Sequence, residues 1–392
     1  MADEQTLSYI LNHLGEDRES QRGAVTPPIF ETSNFAFPTV AAMRAAGQDE
    51  LNNAFYTRGN NPTVEILRRK LAALEGTQDA LVFGSGAAAM ASAVLAFVRQ
   101  GDHVVCVQKA YAWTRVLVRD WLPRFGVSVS FVNGSDVPAI EAALTEHTRM
   151  IVLESPNSLT LELQDLAAIA TLARARGVLT LCDNSYASPL LQQPAALGID
   201  LVMHSVTKYL NGHSDVVAGA VCGTQAHIRE IFRGPYMTFG AIIGPLESWL
   251  VLRGLRTLSV RMERICLSAA RIVQFLQQHP KIARVYYPGS TSDPQRELAL
   301  AQMKMGSGLL SIEVAADDVA GIERFCDSLK MFLMAVSWGG HESLIWPLAV
   351  VIKDGSAESN RTGLPWNLVR LSIGLEDADE LIADLRQALA LV

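Results

Sequence analysis

The chain has 392 residues, 49% of them hydrophobic, with 33 Lys and Arg against 40 Asp and Glu for a formal charge of −7. That length suits two domains and a sizeable core. The acidic balance argues against nucleic acid as the main partner, and no apolar run reaches the roughly 18–20 residues of a membrane span.

The N-terminal stretch MADEQTLSYILNHLGEDRES is acidic and polar, without the basic start and apolar run of a secretory signal, so a cytoplasmic protein is expected. Residues 1–60 are poor in periodic runs and carry turn signals such as TPP and RGNNPT; they form the first expected segment. Over 61–250, short apolar runs alternate with helical patterns. Strands are expected at 80–83, 103–107, 127–132, 149–154, 178–183, 199–205 and 216–223, with Ala- and Leu-rich helices between several of them. That alternation predicts an α/β domain with a largely parallel sheet.

The stretch 246–278 reads as one long helical region, with a kink or break expected at Gly254. The remainder, within 251–392, predicts a smaller α+β domain with strands at 308–315, 331–337 and 368–376. Asp377 is the expected cap of the closing helix. The five cysteines are scattered without a C-x-x-C pair, which predicts reduced core thiols. No histidine spacing predicts a zinc site.

Ligands in open α/β sheets gather at the carboxyl ends of strands. After the strand ALVF comes GSGAAAM, whose small residues let backbone N–H groups approach an anion at a helix N-terminus. Gly84, Gly86 and Ala89 also fit a dinucleotide fingerprint, but the next strand ends in Gln108 and Lys109 where a ribose-binding acid is required. A phosphate site and a plain tight turn remain as readings. The strand VLTLC leads into Asp183, either a cap or salt-bridge partner or a functional carboxylate. The strand IDLVM leads into HSVTK, where Ser205 and Thr207 flank Lys208, a snorkelling lysine or a chemical one. Together they form the set that pyridoxal 5'-phosphate requires: donors for its phosphate, a carboxylate for its ring nitrogen and a lysine amine for its aldehyde.

At this point the sequence resembles the Cys/Met-metabolism family of pyridoxal-phosphate enzymes, the trans-sulfuration family. The resemblance runs from YTRGNNPTVEILRRKLAALEG (56–76) through SGAAAMASAV, the stretch from Cys182 to Val221, and RGLRTLSVRMER, to SWGGHESLI and VRLSIGLEDADELIADL. It implies a fold type I transferase of the aspartate-aminotransferase kind, with a PLP-binding domain at 61–250 and a C-terminal domain at 251–392. By resemblance Lys208 is the Schiff-base lysine and Asp183 the pyridinium partner. Gly86, Ala87, Ser205 and Thr207 match phosphate binders. Tyr56 and Arg58 match a pair that reaches the phosphate of a neighbouring subunit, so the 1–60 arm is expected to contact that subunit in a homo-oligomer, a dimer of shared sites and a homotetramer in full. Tyr111 matches the aromatic that stacks on the cofactor ring; with Lys208 and Tyr56 it completes the expected catalytic group. Arg370 matches the arginine that grips the substrate α-carboxylate, and Ser337 matches a pocket serine next to Trp338.

Within that family, MAVSWGGHESLIW (334–346) is the most informative stretch. Cystathionine γ-synthases and γ-lyases usually carry Glu where this chain has Val336. The S-W-G-G form, and ESPNSL at 154–159, resemble bacterial cystathionine β-lyases. Sequences like methionine γ-lyase share the valine but have cysteine where this chain has Trp113. YAWT (111–114) and Ser158 depart from the common pattern. The resemblance therefore implies a carbon–sulfur β-lyase that converts cystathionine to homocysteine, pyruvate and ammonia. Methionine γ-lyase, cystathionine γ-lyase or γ-synthase activity is the alternative, and a PLP-binding regulatory protein with little turnover is the alternative of another class.

Overall fold

The structure is a computed structural model that describes residues 6–352 and 356–392. The chain packs as two compact units. Among the described residues, one comprises 6–155, 164–211 and 215–257, and the other 156–163, 212–214, 258–352 and 356–392.

The first unit is built on seven strands: β1 (Asp79–Phe83), β2 (His103–Val107), β3 (Ser128–Val132), β4 (Thr148–Glu154), β5 (Leu179–Asp183), β6 (Leu201–His204) and β7 (Gly219–Gly223). Their order is β1-β7-β6-β5-β4-β2-β3. All pairs are parallel except those that β7 makes with β1 and β6. β1 and the other five therefore run the same way, and their carboxyl ends share one edge. Every residue of β1, β2 and β5–β7 is buried except Leu179. That explains near-continuous apolar runs in place of alternation. The five-residue strands follow from Val, Ile and Cys runs cut by Gly or Asp.

Helix Pro62–Glu75 in the first unit has Asn61 as its N-cap, Pro62 at its first turn and Gly76 at φ 72° closing it. Its Lys70 is fully buried. The ammonium donates to the carbonyls of Ile10 (2.8 Å) and Leu11 (3.1 Å) near the end of helix Leu7–Asn12, and lies 3.2 Å from Glu16 Oε1. Glu16 also holds Arg18 and Arg256. Burial lowers the Lys70 pKa, and Glu16 pulls it back. The pairing ties the N-terminal segment to the body of this unit.

Helix Pro245–Arg256 ends at Thr257, and a separate helix, Leu258–Gln277, follows. The break is therefore not at the expected Gly254. That glycine lies inside the first helix, where an added Cβ would stand 2.2 Å from the Asn211 carbonyl oxygen. Its smallness serves close packing, not a kink.

The second unit carries a five-stranded sheet of order β10-β11-β12-β9-β8: β8 (Ile282–Tyr286), β9 (Leu309–Val314), β10 (Leu333–Met334), β11 (Leu344–Pro347) and β12 (Leu368–Ser372). The strand expected over 331–337 shrinks to two residues, because Leu333 and Met334 are exposed and only they pair with β11. β8 and β11 have no counterpart in the expected strands. Asp377 caps helix Ala378–Leu389 by accepting from Asp379 N–H. All five cysteines are buried and free. Among the described residues, no helix is long and apolar enough to cross a membrane.

Candidate active site

The group at the carboxyl edge of the seven-stranded sheet begins where β1 ends. Ser85 caps helix Gly86–Phe97, its hydroxyl accepting from Ala88 N–H. Gly86 and Ala87, in the first turn, have backbone N–H groups with no helical acceptor. A Cβ on Gly86 would stand 3.0 Å from Ser205 Cβ, so the loop after β6 lies directly against this turn. Gly219 makes the same approach from β7: its Cβ would meet the Ser85 carbonyl oxygen at 2.3 Å. Ser205 Oγ makes no hydrogen bond among the described residues. Two open N–H groups and an open hydroxyl at a helix N-terminus form a cradle for a phosphate.

Asp183 ends β5. Its Oδ1 accepts from Ser185 N–H (2.9 Å) and Ser185 Oγ (2.6 Å), while Oδ2 accepts no hydrogen bond among the described residues. Ser185 Oγ in turn accepts from Ser205 N–H at 2.6 Å, which links the carboxylate to the phosphate cradle through one hydroxyl. Burial pushes the Asp183 pKa up. The Ser185 hydrogen bonds pull against it first, followed by the electrostatic influence of His204 and Lys208. Such a carboxylate needs a cationic partner to stay ionised, and a protonated pyridine nitrogen is one.

Lys208 is half-buried four residues beyond the end of β6, its backbone N–H donating to the Ser205 carbonyl at 3.0 Å. Its charge acts on Asp183, which puts amine and carboxylate in one electrostatic field. Thr207 stands differently from Ser205. Its hydroxyl donates to the Ala218 carbonyl (3.1 Å) and accepts Ala218 N–H (2.9 Å), pinning the Lys208 loop to the approach of β7. Its single proton is committed, so it can donate to a phosphate only by releasing Ala218.

Behind Asp183 lies a buried network that sequence reading missed. His204 Nε2 is 2.7 Å from Glu75 Oε2, both fully buried. Asn184 and Gln192 exchange hydrogen bonds, and Gln192 also reaches the Ser155 carbonyl. The pair spans 129 residues, so no local pattern signals it; the one hint was a glutamate closing an amphipathic helix beside its C-cap glycine. Tyr111, half-exposed after β2, donates its N–H to the buried Glu154 carboxylate. Trp113 is exposed. Tyr56 and Arg58 are exposed, with the guanidinium 5.5 Å from the tyrosine ring centroid. No hydrogen bond or ion pair among the described residues joins either to Asp183 or Lys208.

In the second unit, Arg370 lies on β12 opposite Trp346 of β11, its guanidinium 5.5 Å from that indole. Its Nη2 donates to the Ser337 carbonyl at 3.0 Å. Ser337 has φ 76°, rare for a residue with a Cβ, and is followed by half-buried Trp338 and by Gly339 at φ 82°. The Gly339 N–H is held by Ser372 Oγ. So Ser337, Trp338 and Arg370, expected together, do lie together, and Val336 beside them is 73% exposed.

A helix N-terminus after β1, a buried carboxylate ending β5 and a lysine after β6, all at the carboxyl edge of one sheet, fit pyridoxal phosphate and the class of enzymes that use it. Residues 9–390 match the family model described as Cys/Met metabolism PLP-dependent enzyme, and the chain belongs to that family. It is 39% identical to L-methionine gamma-lyase of Pseudomonas putida over 96% of this chain and 95% of that one. It is also 39% identical to cystathionine gamma-synthase of Mycobacterium tuberculosis, at the same coverages. The crystal structure of metB from Corynebacterium glutamicum superposes with a TM-score of 0.91 at 35% identity, covering 98% of each chain. The fold is thus fold type I and the cofactor pyridoxal phosphate, in a trans-sulfuration family that acts on small amino-acid substrates. Both named relatives are γ enzymes, so the comparisons support the expected family without its β-lyase detail.

Proposed function

We propose that the chain is a carbon–sulfur lyase that cleaves cystathionine at Cβ, giving homocysteine, pyruvate and ammonia with one water consumed. The bound cofactor supplies an electron sink for the pair left at Cα. Lys208 takes the Cα proton, Asp183 keeps the ring nitrogen charged, and Gly86, Ala87 and Ser205 hold the phosphate. Arg370 receives the α-carboxylate as a bidentate pair, with Tyr111 over the ring and Ser337 and Trp338 shaping the pocket. Tyr56 and Arg58 serve the neighbouring subunit of an oligomer.

Two features together carry the choice: Val336, where cystathionine γ-synthases and γ-lyases carry Glu, and Trp113, where methionine γ-lyase-like sequences carry cysteine. γ-Cleavage needs a second proton taken from Cβ and further shuttling. The position next to Ser337 offers an apolar side chain, and all five thiols are buried. A single base suffices for β-elimination. The second reading, γ-cleavage, is favoured by the names of the 39%-identical relatives.

The deciding experiment is the mass of the keto acid formed from cystathionine. Pyruvate supports β-cleavage. 2-Oxobutyrate overturns it while leaving the cofactor assignment intact.

A further inference from the structure

We infer that the first unit holds a second binding site, for a free α-amino acid, at the edge of the sheet opposite Asp183 and Lys208. A cavity of about 450 Å³ is lined there by Phe97, Arg99, Asp102, Arg149, His227 and Glu230, with two alanines. That volume falls within the range of roughly 300–1,000 Å³ found for small-molecule sites. Phe97 ends helix Gly86–Phe97, Asp102 precedes β2, and Arg149 is the second residue of β4. His227 and Glu230 lie on helix Gln225–Ile231, which follows β7. Because β7 runs against its neighbours, its last residue, Gly223, pairs with Leu201, the first of β6. The cavity is therefore at the amino ends of the parallel strands, and none of its residues belongs to the cofactor group.

The cavity opens to solvent, and Arg99, Arg149 and Glu230 are exposed around it, their charges unpaired with protein groups among the described residues. Neither the Arg99 nor the Arg149 guanidinium makes a hydrogen bond or ion pair among the described residues, and neither does the Glu230 carboxylate. Asp102 spends only Oδ2, on Arg99 N–H at 2.7 Å. The His227 ring meets Phe97 edge-on at 5.5 Å, and its Nδ1 is closed off from solvent with no partner. Two cations and two anions around one cavity, all apart, suit a ligand that carries both signs. A carboxylate would bridge the guanidiniums as charge-assisted pairs. An ammonium would face Asp102, Glu230 and the negative end of helix Gly86–Phe97. The side chain would lie on Phe97. A phosphate ester would leave both acids facing its charge, and a neutral apolar ligand would leave four charges to be desolvated unpaired.

The test is calorimetric titration of the holoenzyme with L-leucine and with L-glutamate, neither of which carries a sulfur leaving group, with cofactor absorbance followed in the same samples. Saturable binding of either amino acid is expected, tighter than about 10 mM, with an unchanged cofactor spectrum. Arg149→Ala should weaken it at least 10-fold and Arg370→Ala should leave it intact. If Arg149→Ala does not fold, Arg99→Ala and Glu230→Gln carry the same expectation. No saturable heat with either probe would overturn the site. So would heat accompanied by a shift in the cofactor spectrum, or heat lost in Arg370→Ala and kept in the cavity variants.

Discussion

The strand-end group of the first unit and the Ser337 segment of the second unit are held in opposite ways. Asp183, Ser205 and Lys208 sit where buried strands stop, and Ser185 ties the carboxylate to the cradle with bonds of 2.6 Å on either side. Ser337, Trp338 and Gly339 sit on irregular backbone beside a two-residue strand, with two of three φ angles positive. The first arrangement, if it holds the cofactor as proposed, has little freedom to vary without losing it. The second can change side chains or path while its sheet stays folded. Chemistry common to a family belongs on the first kind of support, and choice of substrate on the second.

The largest effect should come from the rigid region. Lys208→Ala removes the proposed base and should lower kcat by about 10³-fold or more, read in steady-state keto-acid release. A variant that keeps near-normal turnover would break the assignment. Next is a stability change remote from chemistry. Lys70→Met leaves Glu16 and two helix-end carbonyls buried without their ammonium, and should cost about 3–5 kcal/mol, seen as a lower denaturation midpoint. A midpoint equal to that of the parent would mean Arg18 and Arg256 alone satisfy Glu16.

Much of the first region was legible because it is local. β5 running into Asp183 and β6 running into Ser205–Lys208 can each be read within ten residues. What was illegible is what long-range packing decides. Lys70 lies in PTVEILRRKLAALEG, where helical periodicity gives no sign that an ammonium will be enclosed by residues 60 positions away. Glu75 precedes β1 and His204 ends β6, so they meet only when the sheet is assembled. Gly254 was read as a kink because glycine weakens helices, but the constraint there is the Asn211 carbonyl. MFLMAVS has strand composition, yet too few of its residues find a partner strand or a buried face. The propensity was present and the tertiary context overrode it.

Smaller changes should separate the two regions by their readouts. Arg370→Lys replaces a planar fork with a point charge. It should reduce kcat/KM about 10- to 100-fold, chiefly through KM, with cofactor retention unchanged. Ser205→Ala should do the reverse, weakening cofactor retention on dialysis with little change in KM once cofactor is in excess. If both variants move the same parameter, the division between cofactor support and substrate support is wrong.

The smallest effect expected in the native protein is thiol reactivity, and it tests the same division through stability. Burial raises every cysteine pKa. It pushes Cys266 and Cys326, in the second unit, up to about 12, and Cys106, Cys182 and Cys222, in the first, well above the ordinary thiol range. At pH 8 a thiol with a pKa near 12 is thiolate only about once in 10⁴, so a disulfide reagent should titrate almost none of the five without unfolding. Raising the pH alone should not expose them, since burial blocks the reagent as well as ionisation. The first unit has the larger apolar cluster, around the seven-stranded sheet. With increasing denaturant, Cys266 and Cys326 should therefore react before the other three. Mass spectrometry of partly labelled protein would show two labels ahead of five. All five appearing together would mean that the two units unfold as one cooperative body, and that the looser Ser337 segment is a local property of backbone path, not of a less stable unit.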